Sequence, residues 1–207
     1  MEYNTGNYDK YMTKNPLKRK MVERLNTKIL ASVCETIEKI RSGKDENPRI
    51  LDAGCGEGFI TNLIAANIQN ADIIGLEYAD EALEIARKMN PQLTYVQGNI
   101  YNMPFKDNAY EVVICTEVLE HLEHPESALK ELMRVCGKYL IITVPNEPWF
   151  CLGNLIALKN VSRLGNPIDH INHWTYRGFQ KFVEQNTDVH CTYDKSFPWS
   201  IAALKTF

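Results

Sequence analysis

Residues 49–58 read Arg-Ile-Leu-Asp-Ala-Gly-Cys-Gly-Glu-Gly, and this stretch decides the fold. A short apolar run leads into Asp52, and glycines then occupy the alternate positions 54, 56 and 58. Glycine tolerates the positive φ of a tight turn and lets a ligand lie against bare main chain. A helical pattern follows directly, so the stretch predicts a strand, a ligand-binding turn and then a helix.

The spacing of these glycines distinguishes between nucleotide cofactors. A dinucleotide fingerprint requires G-x-G-x-x-G, and its third glycine would fall at position 59, where this chain has Phe59. The observed pattern is D-x-G-x-G-x-G. The spacing therefore argues against a nicotinamide dehydrogenase. A tight turn that binds no ligand is the other interpretation of these residues.

Size and charge bound the fold class and the partners. The chain has 207 residues, of which 44% are hydrophobic, and this predicts one globular domain over residues 1–207. The net charge of −3 provides no global basic field for a long nucleic acid. We therefore expect no DNA partner, and RNA is disfavoured. The composition favours no particular oligomeric state.

Cysteine usage and the N-terminus bear on the compartment. Six cysteines are scattered without a C-x-x-C pair, which is typical of free thiols in a reducing environment. The first residues, Met-Glu-Tyr-Asn-Thr-Gly-Asn, are too polar for a signal peptide. The longest apolar stretch, residues 149–158, is too short to span a bilayer. We expect a cytoplasmic protein without a transmembrane segment.

Strands and helices alternate along the chain. Nearly continuous apolar strands alternating with amphipathic helices predict an α/β fold, in which a parallel sheet is covered by helices on both faces. The predicted strands are residues 49–53, 72–77, 93–97, 111–116, 139–144, 188–194 and 199–206. The predicted helices are residues 16–41, 58–68 and 176–184, one capped by Asp80 and one opened by Pro125.

Ligands of open α/β sheets bind beyond the carboxyl ends of the strands. A carboxylate at Glu77, where the second strand ends, can accept hydrogen bonds from ribose hydroxyls. Asn99 can bond an adenine edge while Ile100 packs on its face. The candidate cofactor-binding residues at these strand ends are Asp52, Gly54, Cys55, Gly56, Glu77, Tyr78, Asn99, Ile100, Thr116 and Glu117.

This order of features resembles the class I S-adenosylmethionine-dependent methyltransferases, and within them the type-11 group. The resemblance implies a Rossmann-like fold with a seven-stranded, mostly parallel sheet, and S-adenosyl-L-methionine as the cofactor. Glu77 and Asn99 replace a more frequent aspartate, and both keep the needed acceptor atoms. The resemblance runs from about residue 49 to 146, and its motifs are residues 51–58, 75–77, 98–100, 104–105, 110–113 and 117–121.

The resemblance also assigns roles to two flanking segments. In similar enzymes the N-terminal segment folds over the cofactor, so residues 1–45 are expected to form a helical lid that contacts the cofactor through Tyr11. The methyl group is expected to point into a cleft above the fourth and fifth strands. Residues 146–175, between the fifth strand and the last helix, are then an insertion on the acceptor side.

Histidines are the candidate catalytic residues. His121 and His124 follow the fourth strand, and His170 and His173 lie in Asp-His-Ile-Asn-His-Trp at 169–174. A single histidine beside an apolar strand is commonly structural. Four of them near one cleft favour a general base, or a polar contact to the acceptor, by His121, His170 or His173. A base with an unperturbed pKa would give a pH profile that rises near 6.5.

A metal site is a further hypothesis for the same residues. Glu117, Glu120 and His121 are spaced i, i+3 and i+4, so one helical turn would place them on one face. The pattern resembles the E-x-x-E-H of metal-dependent small-RNA 2′-O-methyltransferases, in which His170 takes a later histidine position, and of ubiquinone-pathway O-methyltransferases. It also occurs in type-11 enzymes not known for metal use, so we expect no metal requirement. Any metal ligands would be Glu117, Glu120, His121 and His170.

The insertion contains an apolar helical surface formed by Leu152, Leu155, Ile156 and Leu158. A lid packed on its own core, an apolar acceptor pocket and a lipid-contacting patch are the three interpretations. We expect residues 146–166 to be a mobile lid, because glycines and asparagines interrupt the helix.

Together the residues and the resemblance predict methyl transfer from S-adenosylmethionine to an oxygen or nitrogen of a small-molecule acceptor. A non-catalytic S-adenosylmethionine-binding module and a metal-dependent RNA 2′-O-methyltransferase are the alternatives.

Overall fold

The computed structural model describes residues 6–42, 47–156 and 160–206, so Leu158 lies outside the described residues. Strands and helices alternate along these residues. The strands are β1 (Arg49–Ala53), β2 (Asp72–Glu77), β3 (Thr94–Gln97), β4 (Tyr110–Thr116), β5 (Cys136–Pro145), β6 (His190–Ser196) and β7 (Trp199–Lys205). The helices are α1 (Gly6–Tyr11), α2 (Pro16–Arg41), α3 (Phe59–Asn67), α4 (Asp80–Met89), α5 (Pro125–Val135), α6 (Trp149–Ile156) and α7 (Tyr176–Asn186), with 3₁₀ turns at Leu119–His121 and Val161–Arg163.

Within the described residues, seven strands form one sheet in the order β3-β2-β1-β4-β5-β7-β6. Strands β1 to β5 pair in parallel, whereas β7 runs antiparallel to both of its neighbours. The order reverses between β1 and β4, and such a switch point leaves a crevice beyond the carboxyl ends of the strands. The predicted seven-stranded, mostly parallel sheet is confirmed.

Alternate side chains of each strand pack on opposite faces of the sheet, as in β1. Ile50 belongs to a core cluster that includes apolar residues of α2 and α3. Leu51 and Ala53 belong to a second cluster that includes apolar residues of α5 and α7. Helices therefore cover both faces, which confirms the predicted Rossmann-like arrangement.

Helix α2 is part of the core rather than a cover. Its N-terminus is capped by Asn15, whose side-chain oxygen accepts hydrogen bonds from the backbone N–H groups of Leu17 at 2.9 Å and Lys18 at 3.1 Å. One face of the helix is buried from Val22 to Ile40. Of the residues 1–45 expected to form a lid, the described part that lies over the sheet edge is α1. Helix α2 is instead held by the core, because one of its faces is buried from Val22 to Ile40.

The start of α4 differs from the prediction. Asp80 is the first helical residue, and Ala79 occupies the N-cap position without a side-chain hydrogen bond. The carboxylate of Glu77 accepts hydrogen bonds from the N–H groups of Tyr78 at 2.8 Å and Ala79 at 3.0 Å. Glu77 thus accepts hydrogen bonds from the backbone just before the helix. The expected capping role of Asp80 is not observed, because Asp80 is already helical.

The six cysteines are free, as predicted; Cys55, Cys115 and Cys136 are buried, and the other three are partly exposed. In the described parts of the chain, no helix combines the length and the apolar character needed to cross a membrane.

We expect Ile29→Ala to lower the free energy of unfolding by about 2–5 kcal/mol, because it leaves a cavity in a packed core. Ile29 lies in α2 and is fully buried, whereas Leu17, in the first turn of the same helix, is 68% exposed. The control Leu17→Ala should change the free energy by less than about 0.5 kcal/mol. Denaturant unfolding measures both. Equally small changes would indicate that α2 is a detachable cover.

Candidate active site

A small cavity lies at the switch point, beyond the carboxyl ends of β1 and β4, and has a volume of about 20 Å³. A larger concavity of about 670 Å³ lies among the amino ends of the strands, and the residues that line it include no predicted site residue. The chemistry therefore belongs to the small cavity. It is lined by Lys10, Tyr11, Gly54, Cys55, Phe59, Ile60, Thr116 and Glu117, five of which are predicted cofactor-binding residues.

The glycine turn after β1 leaves no room for side chains on its inner side. The backbone N–H groups of Gly54 and Cys55 donate to the carbonyl of Leu76 at 2.7 and 3.0 Å. Gly54 has a φ of +79°, and an added Cβ would lie 2.4 Å from a methyl group of Val118. The turn therefore requires glycine, and it presents main chain to the cavity as the sequence predicts.

Glu77 lies at the end of β2, where the sequence places it. One carboxylate oxygen accepts a hydrogen bond from the N–H of Gly56 at 3.0 Å, in addition to the bonds from Tyr78 and Ala79. A carboxylate has about four acceptor positions, so about one remains for a ribose hydroxyl rather than the two that were expected. Glu77 also holds the glycine turn in place.

Asp52 does not line the cavity. Its side chain is fully buried, and one oxygen accepts a hydrogen bond from the Thr61 hydroxyl at 2.7 Å. Burial raises the pKa of Asp52 to about 6, against the lowering effect of the Thr61 hydrogen bond. Asp52 therefore links the end of β1 to α3 through Thr61, and it is not among the residues that line the cavity.

Three other predicted cofactor contacts lie at the ends of β2 and β3. The side-chain oxygen of Asn99 accepts a hydrogen bond from the N–H of Tyr101 at 2.9 Å, so this residue also closes a local turn. Ile100 is 8% exposed and packs within the core, which leaves little of its surface for an adenine ring. Tyr78 is 73% exposed and lies open to solvent.

Helix α1 closes the cavity from above. The ring of Tyr11 stacks on Phe59, with ring centroids 4.3 Å apart. Lys10 forms an ion pair with Glu117, and its ammonium nitrogen lies 5.3 Å from the ring centroid of Trp199. The predicted position of Tyr11 over the cofactor region therefore agrees with the geometry.

The expected helical turn of Glu117, Glu120 and His121 is not formed. Glu117 has a φ of +55°, and the 3₁₀ turn begins only at Leu119. The left-handed residue turns the Glu117 carboxylate toward Lys10. Glu117 is accordingly separated from Glu120 and His121, so the four predicted metal ligands do not meet at one point.

Asn172 brings the two histidine segments together. Its side-chain amide donates to the carbonyls of Leu119 at 3.1 Å and Leu122 at 2.6 Å. The carbonyl of Glu120 accepts hydrogen bonds from the backbone N–H groups of Ile171 and Asn172 at 2.8 and 2.9 Å. Residues 169–174 therefore pack directly on the 3₁₀ turn after β4.

Glu120, His121 and His170 form a cluster as a result. One ligand atom from each residue lies within 4.8 Å of the others, and the two imidazole rings are 5.0 Å apart. Nδ1 of His121 lies 2.9 Å from the carbonyl oxygen of Asp169. A carbonyl only accepts, so Nδ1 carries the hydrogen and Nε2 keeps its lone pair.

The cluster is electrostatically unusual. Glu120 is 1% exposed, and neither of its carboxylate oxygens has a hydrogen-bond partner among the described residues. Burial, and then the charge of Glu117, raises the pKa of Glu120 well above its usual value. Burial, and then the neighbouring His121, lowers the pKa of His170 to about 4. An unperturbed base was expected to give a pH profile that rises near 6.5. A profile governed by His170 would instead rise near its lowered pKa of about 4.

The other two histidines do not join this cluster. His173 lies 4.0 Å from the Glu147 carboxylate, and its second ring nitrogen is 3.2 Å from the Asn166 amide. His124 precedes α5, is largely exposed and lies 3.6 Å from Glu126. Two of the four predicted histidines thus lie outside the cluster, since His173 faces Glu147 and His124 faces Glu126 in the first turn of α5.

The insertion packs partly against the cluster. Phe150, on α6, stacks on the His170 ring at 5.4 Å and contacts Trp199 edge-on at 6.2 Å. Trp149, Leu152 and Ile156 of the same helix are exposed. Helix α6 thus contributes an apolar wall beside the imidazoles. Its mobility remains a prediction.

Two residues at the site, Lys10 and Trp199, were not predicted from the sequence. Lys10 is an isolated lysine before Tyr11, and Trp199 starts the last strand, so no spacing connects them. Phe59 was noted only because it breaks the dinucleotide fingerprint, although its position directly after the glycine turn does place it at the cavity.

A glycine turn at the switch point of a 3-2-1-4-5-7-6 sheet, with an acid ending the next strand, defines the class I methyltransferase fold. Residues 51–140 match the family model described as "Methyltransferase domain". The match confirms, for that part of the chain, the resemblance drawn from its motifs.

Curated relatives match the same region. The ubiquinone biosynthesis O-methyltransferase of Photorhabdus laumondii is 33% identical over 112 residues, which cover 50% of this chain and 46% of that protein. The malonyl-[acyl-carrier protein] O-methyltransferase of Halalkalibacterium halodurans is 31% identical over 124 residues, which cover 57% of this chain and 43% of the relative. The chain thus spans about half the length of these relatives or less.

A solved structure shares the fold over nearly the whole chain. Magnesium protoporphyrin IX methyltransferase from Synechocystis PCC 6803, solved with bound SAH, superposes with a TM-score of 0.64. The match covers 98% of this chain and 95% of the other, at 17% sequence identity. At that identity the likeness concerns the fold alone.

We expect the stability difference between Asp52→Asn and the wild type to depend on pH. The pKa of Asp52 is raised from 3.8 to about 6 in the folded protein, so folding favours its protonated form. The contribution of the Asp52 carboxyl group to the free energy of unfolding is therefore fully present below pH 4 and is lost as the pH rises through 6. A shift of this size corresponds to about 3 kcal/mol.

Because asparagine stays neutral, the variant should gain up to about 3 kcal/mol relative to the wild type between pH 4 and 7.5. Chemical denaturation at several pH values measures the difference. Asp72→Asn, at an exposed position, is the control. A difference that stays constant across this range would contradict the burial of a titrating Asp52.

Proposed function

We propose that the chain transfers a methyl group from S-adenosylmethionine to an oxygen or nitrogen atom of a small-molecule acceptor. The observation that carries this proposal is the position of the His121–His170 pair. It follows β4, the strand next to the glycine turn of β1, so proton acceptors lie beside the donor cavity. The match of residues 51–140 to a methyltransferase domain supports the same donor.

The fit of the donor to this chain rests on the turn itself. The main chain of Gly54 lines the cavity, in a turn where a Cβ would collide with the Val118 side chain. The Glu77 carboxylate, which accepts from the N–H of Gly56, keeps about one acceptor position. These residues would hold the nucleoside, and Thr116 and Glu117 the other end of the molecule. When bound, S-adenosylmethionine supplies a methyl group on a positively charged sulfur, from which an acceptor lone pair can displace it.

The residues after β4 serve the acceptor. Nε2 of His121 has a free lone pair, and Nδ1 of His170 has no hydrogen-bond partner among the described residues. Nε2 of His121 can take the proton that an acceptor hydroxyl or amine loses as its bond to carbon forms. His170 is the weaker base, because its Nδ1 is buried and burial lowers its pKa to about 4. Phe150 and the exposed face of α6 provide an apolar wall that would align the acceptor and exclude water.

We expect calorimetry to show micromolar binding of S-adenosylmethionine and S-adenosylhomocysteine and no binding of NAD. Glu77→Ala should weaken the affinity for both sulfur compounds about 10- to 150-fold, because it removes a hydrogen bond to a charged acceptor. Glu84→Ala, which alters an exposed acid on α4, is the control.

Acceptor screening then tests turnover. A library of phenols, hydroxy acids and amines should contain compounds that cause release of S-adenosylhomocysteine. Donor binding without turnover against any acceptor would favour the non-catalytic binding module. Absence of binding by both sulfur compounds would contradict the donor assignment as a whole.

A second candidate is a cation-assisted version of the same reaction, and one observation favours it. The buried carboxylate of Glu120 has no hydrogen-bond partner in the described parts of the chain, and it lies with two imidazole nitrogens within 4.8 Å. One carboxylate and two imidazoles suit a divalent transition metal. Glu120, His121 and His170 would hold the ion, which supplies a Lewis acid that favours ionisation of an acceptor hydroxyl.

The two versions predict different responses to metal. If the imidazoles act only as bases, which is the outcome we expect, treatment with EDTA should leave both turnover and donor affinity unchanged. If a cation is held, EDTA should abolish turnover and spare donor binding, and purified protein should contain close to one equivalent of metal. Glu120→Gln should then lose that metal, whereas Glu123→Gln, at an exposed position after the turn, should keep it.

A further inference from the structure

The donor cavity already contains a cationic group of the chain itself. The ammonium of Lys10 is ion-paired with Glu117, and the two side chains are only 12% and 17% exposed. The same nitrogen lies 5.1 Å from the ring centroid of Tyr11 and 5.3 Å from that of Trp199. A carboxylate together with aromatic faces is an arrangement that binds cations.

Two walls of this cage, Glu117 and Trp199, are positioned by the sheet, and the third, Tyr11, lies on α1 beside Lys10. Glu117 follows β4, and its backbone N–H donates to the carbonyl of Thr143 on β5 at 2.9 Å. Trp199 begins β7 and is 3% exposed. Lys10, in contrast, comes from the six-residue helix α1. Two walls of the cage are therefore fixed by the sheet, whereas the cation and the Tyr11 ring are carried together by a short helix.

The surroundings of the cage are acidic, which makes it selective for positive charge. Burial raises the pKa of Tyr11 well above its usual value, and the carboxylates of Glu117, Asp52 and Glu57 raise it further. Thr116 and the main chain of Gly54 complete the cavity without adding a positive charge. A ligand that enters with an ammonium group would meet the charge that Lys10 now satisfies.

We propose that the cage of Glu117, Trp199 and Tyr11 binds the ammonium group of the donor's methionine moiety, and that Lys10 competes with it as an internal substitute. The inference rests on the donor assignment and is independent of the acceptor. Donor and product carry the same ammonium group, so Lys10 weakens the binding of both to the same extent. Its return to the cage also favours release of the product.

The size of the effect follows from the population of the two states. An apparent dissociation constant equals the intrinsic one divided by the fraction of protein that can bind. If Lys10 occupies the cage in about 90% of molecules, its removal should strengthen binding about tenfold. Lys10→Met keeps an apolar stem of similar length and removes the charge, and Lys10→Arg keeps the charge.

The affinities of S-adenosylhomocysteine and methylthioadenosine, measured by calorimetry, test the proposal. Methylthioadenosine has the same nucleoside and no ammonium group. Lys10→Met should bind S-adenosylhomocysteine about 3- to 10-fold more tightly than the wild type. Lys10→Arg should stay near the wild-type value, as should the control Lys14→Met at an exposed position.

The variant Glu117→Gln distinguishes recognition of the ligand's charge by Glu117 from an effect caused only by movement of α1 away from the cavity. It should weaken binding of S-adenosylhomocysteine about 10- to 150-fold, because a charge-assisted contact is lost. It should not weaken methylthioadenosine. Unchanged or weaker binding of S-adenosylhomocysteine by Lys10→Met would overturn the proposal, and so would equal weakening of both ligands by Glu117→Gln.

Chemical labelling of the wild-type protein gives a second readout that needs no variant. Acetylation followed by mass spectrometry should modify Lys10 slowly in the free protein and faster with saturating S-adenosylhomocysteine, while the rate at Lys14 stays constant. An unchanged or slower rate at Lys10 would contradict its displacement. Absence of S-adenosylhomocysteine binding by the wild type would instead refute the donor assignment, so the two failures are distinguishable.

Discussion

The carbonyl of Leu76, at the end of β2, accepts hydrogen bonds from the N–H groups of both Gly54 and Cys55, and the rest of the site depends on this double contact. Buried backbone donors must find acceptors, so the turn after β1 is held against its neighbouring strand. The Glu77 carboxylate, one residue further on, then reaches the N–H of Gly56. The floor of the cavity is thus set by the pairing of two parallel strands, and side chains only refine it.

The cluster of Glu120, His121 and His170 contains an arrangement that ordinary packing would remove. A buried carboxylate without partners is expensive unless it is protonated or paired, yet Glu120 faces two imidazoles in this state. Perturbed titratable groups of this kind cluster at functional sites. The low pKa of His170, together with the raised pKa of Glu120, leaves both groups able to exist uncharged in the same small volume.

Local patterns predicted the scaffold well, because apolar runs and glycine spacing report directly on strands and turns. Strands β1 and β2 have the predicted bounds, 49–53 and 72–77, whereas β5 begins at Cys136 instead of residue 139. The site was predicted less completely. A spacing of i, i+3 and i+4 contains no sign that Glu117 adopts a positive φ, and this single conformation separates it from Glu120. Lys10 and Trp199 come from opposite ends of the chain, so only the tertiary fold brings them together.

The two hydrogen bonds of the Asn172 side-chain amide have a consequence for how such a domain can diversify. This amide donates to the carbonyls of both Leu119 and Leu122. The position of His170 is therefore set by the turn after β4 and not by the segment that precedes it in the chain. The segment between Phe150, which stacks on His170, and Asn166 can therefore change in length or composition while Asn172 holds residues 169–174 on the turn. The imidazole cluster and the apolar face of α6 are thus positioned by different contacts. Under the proposed function, changes in this segment would adapt the domain to a different acceptor while the imidazoles keep their position.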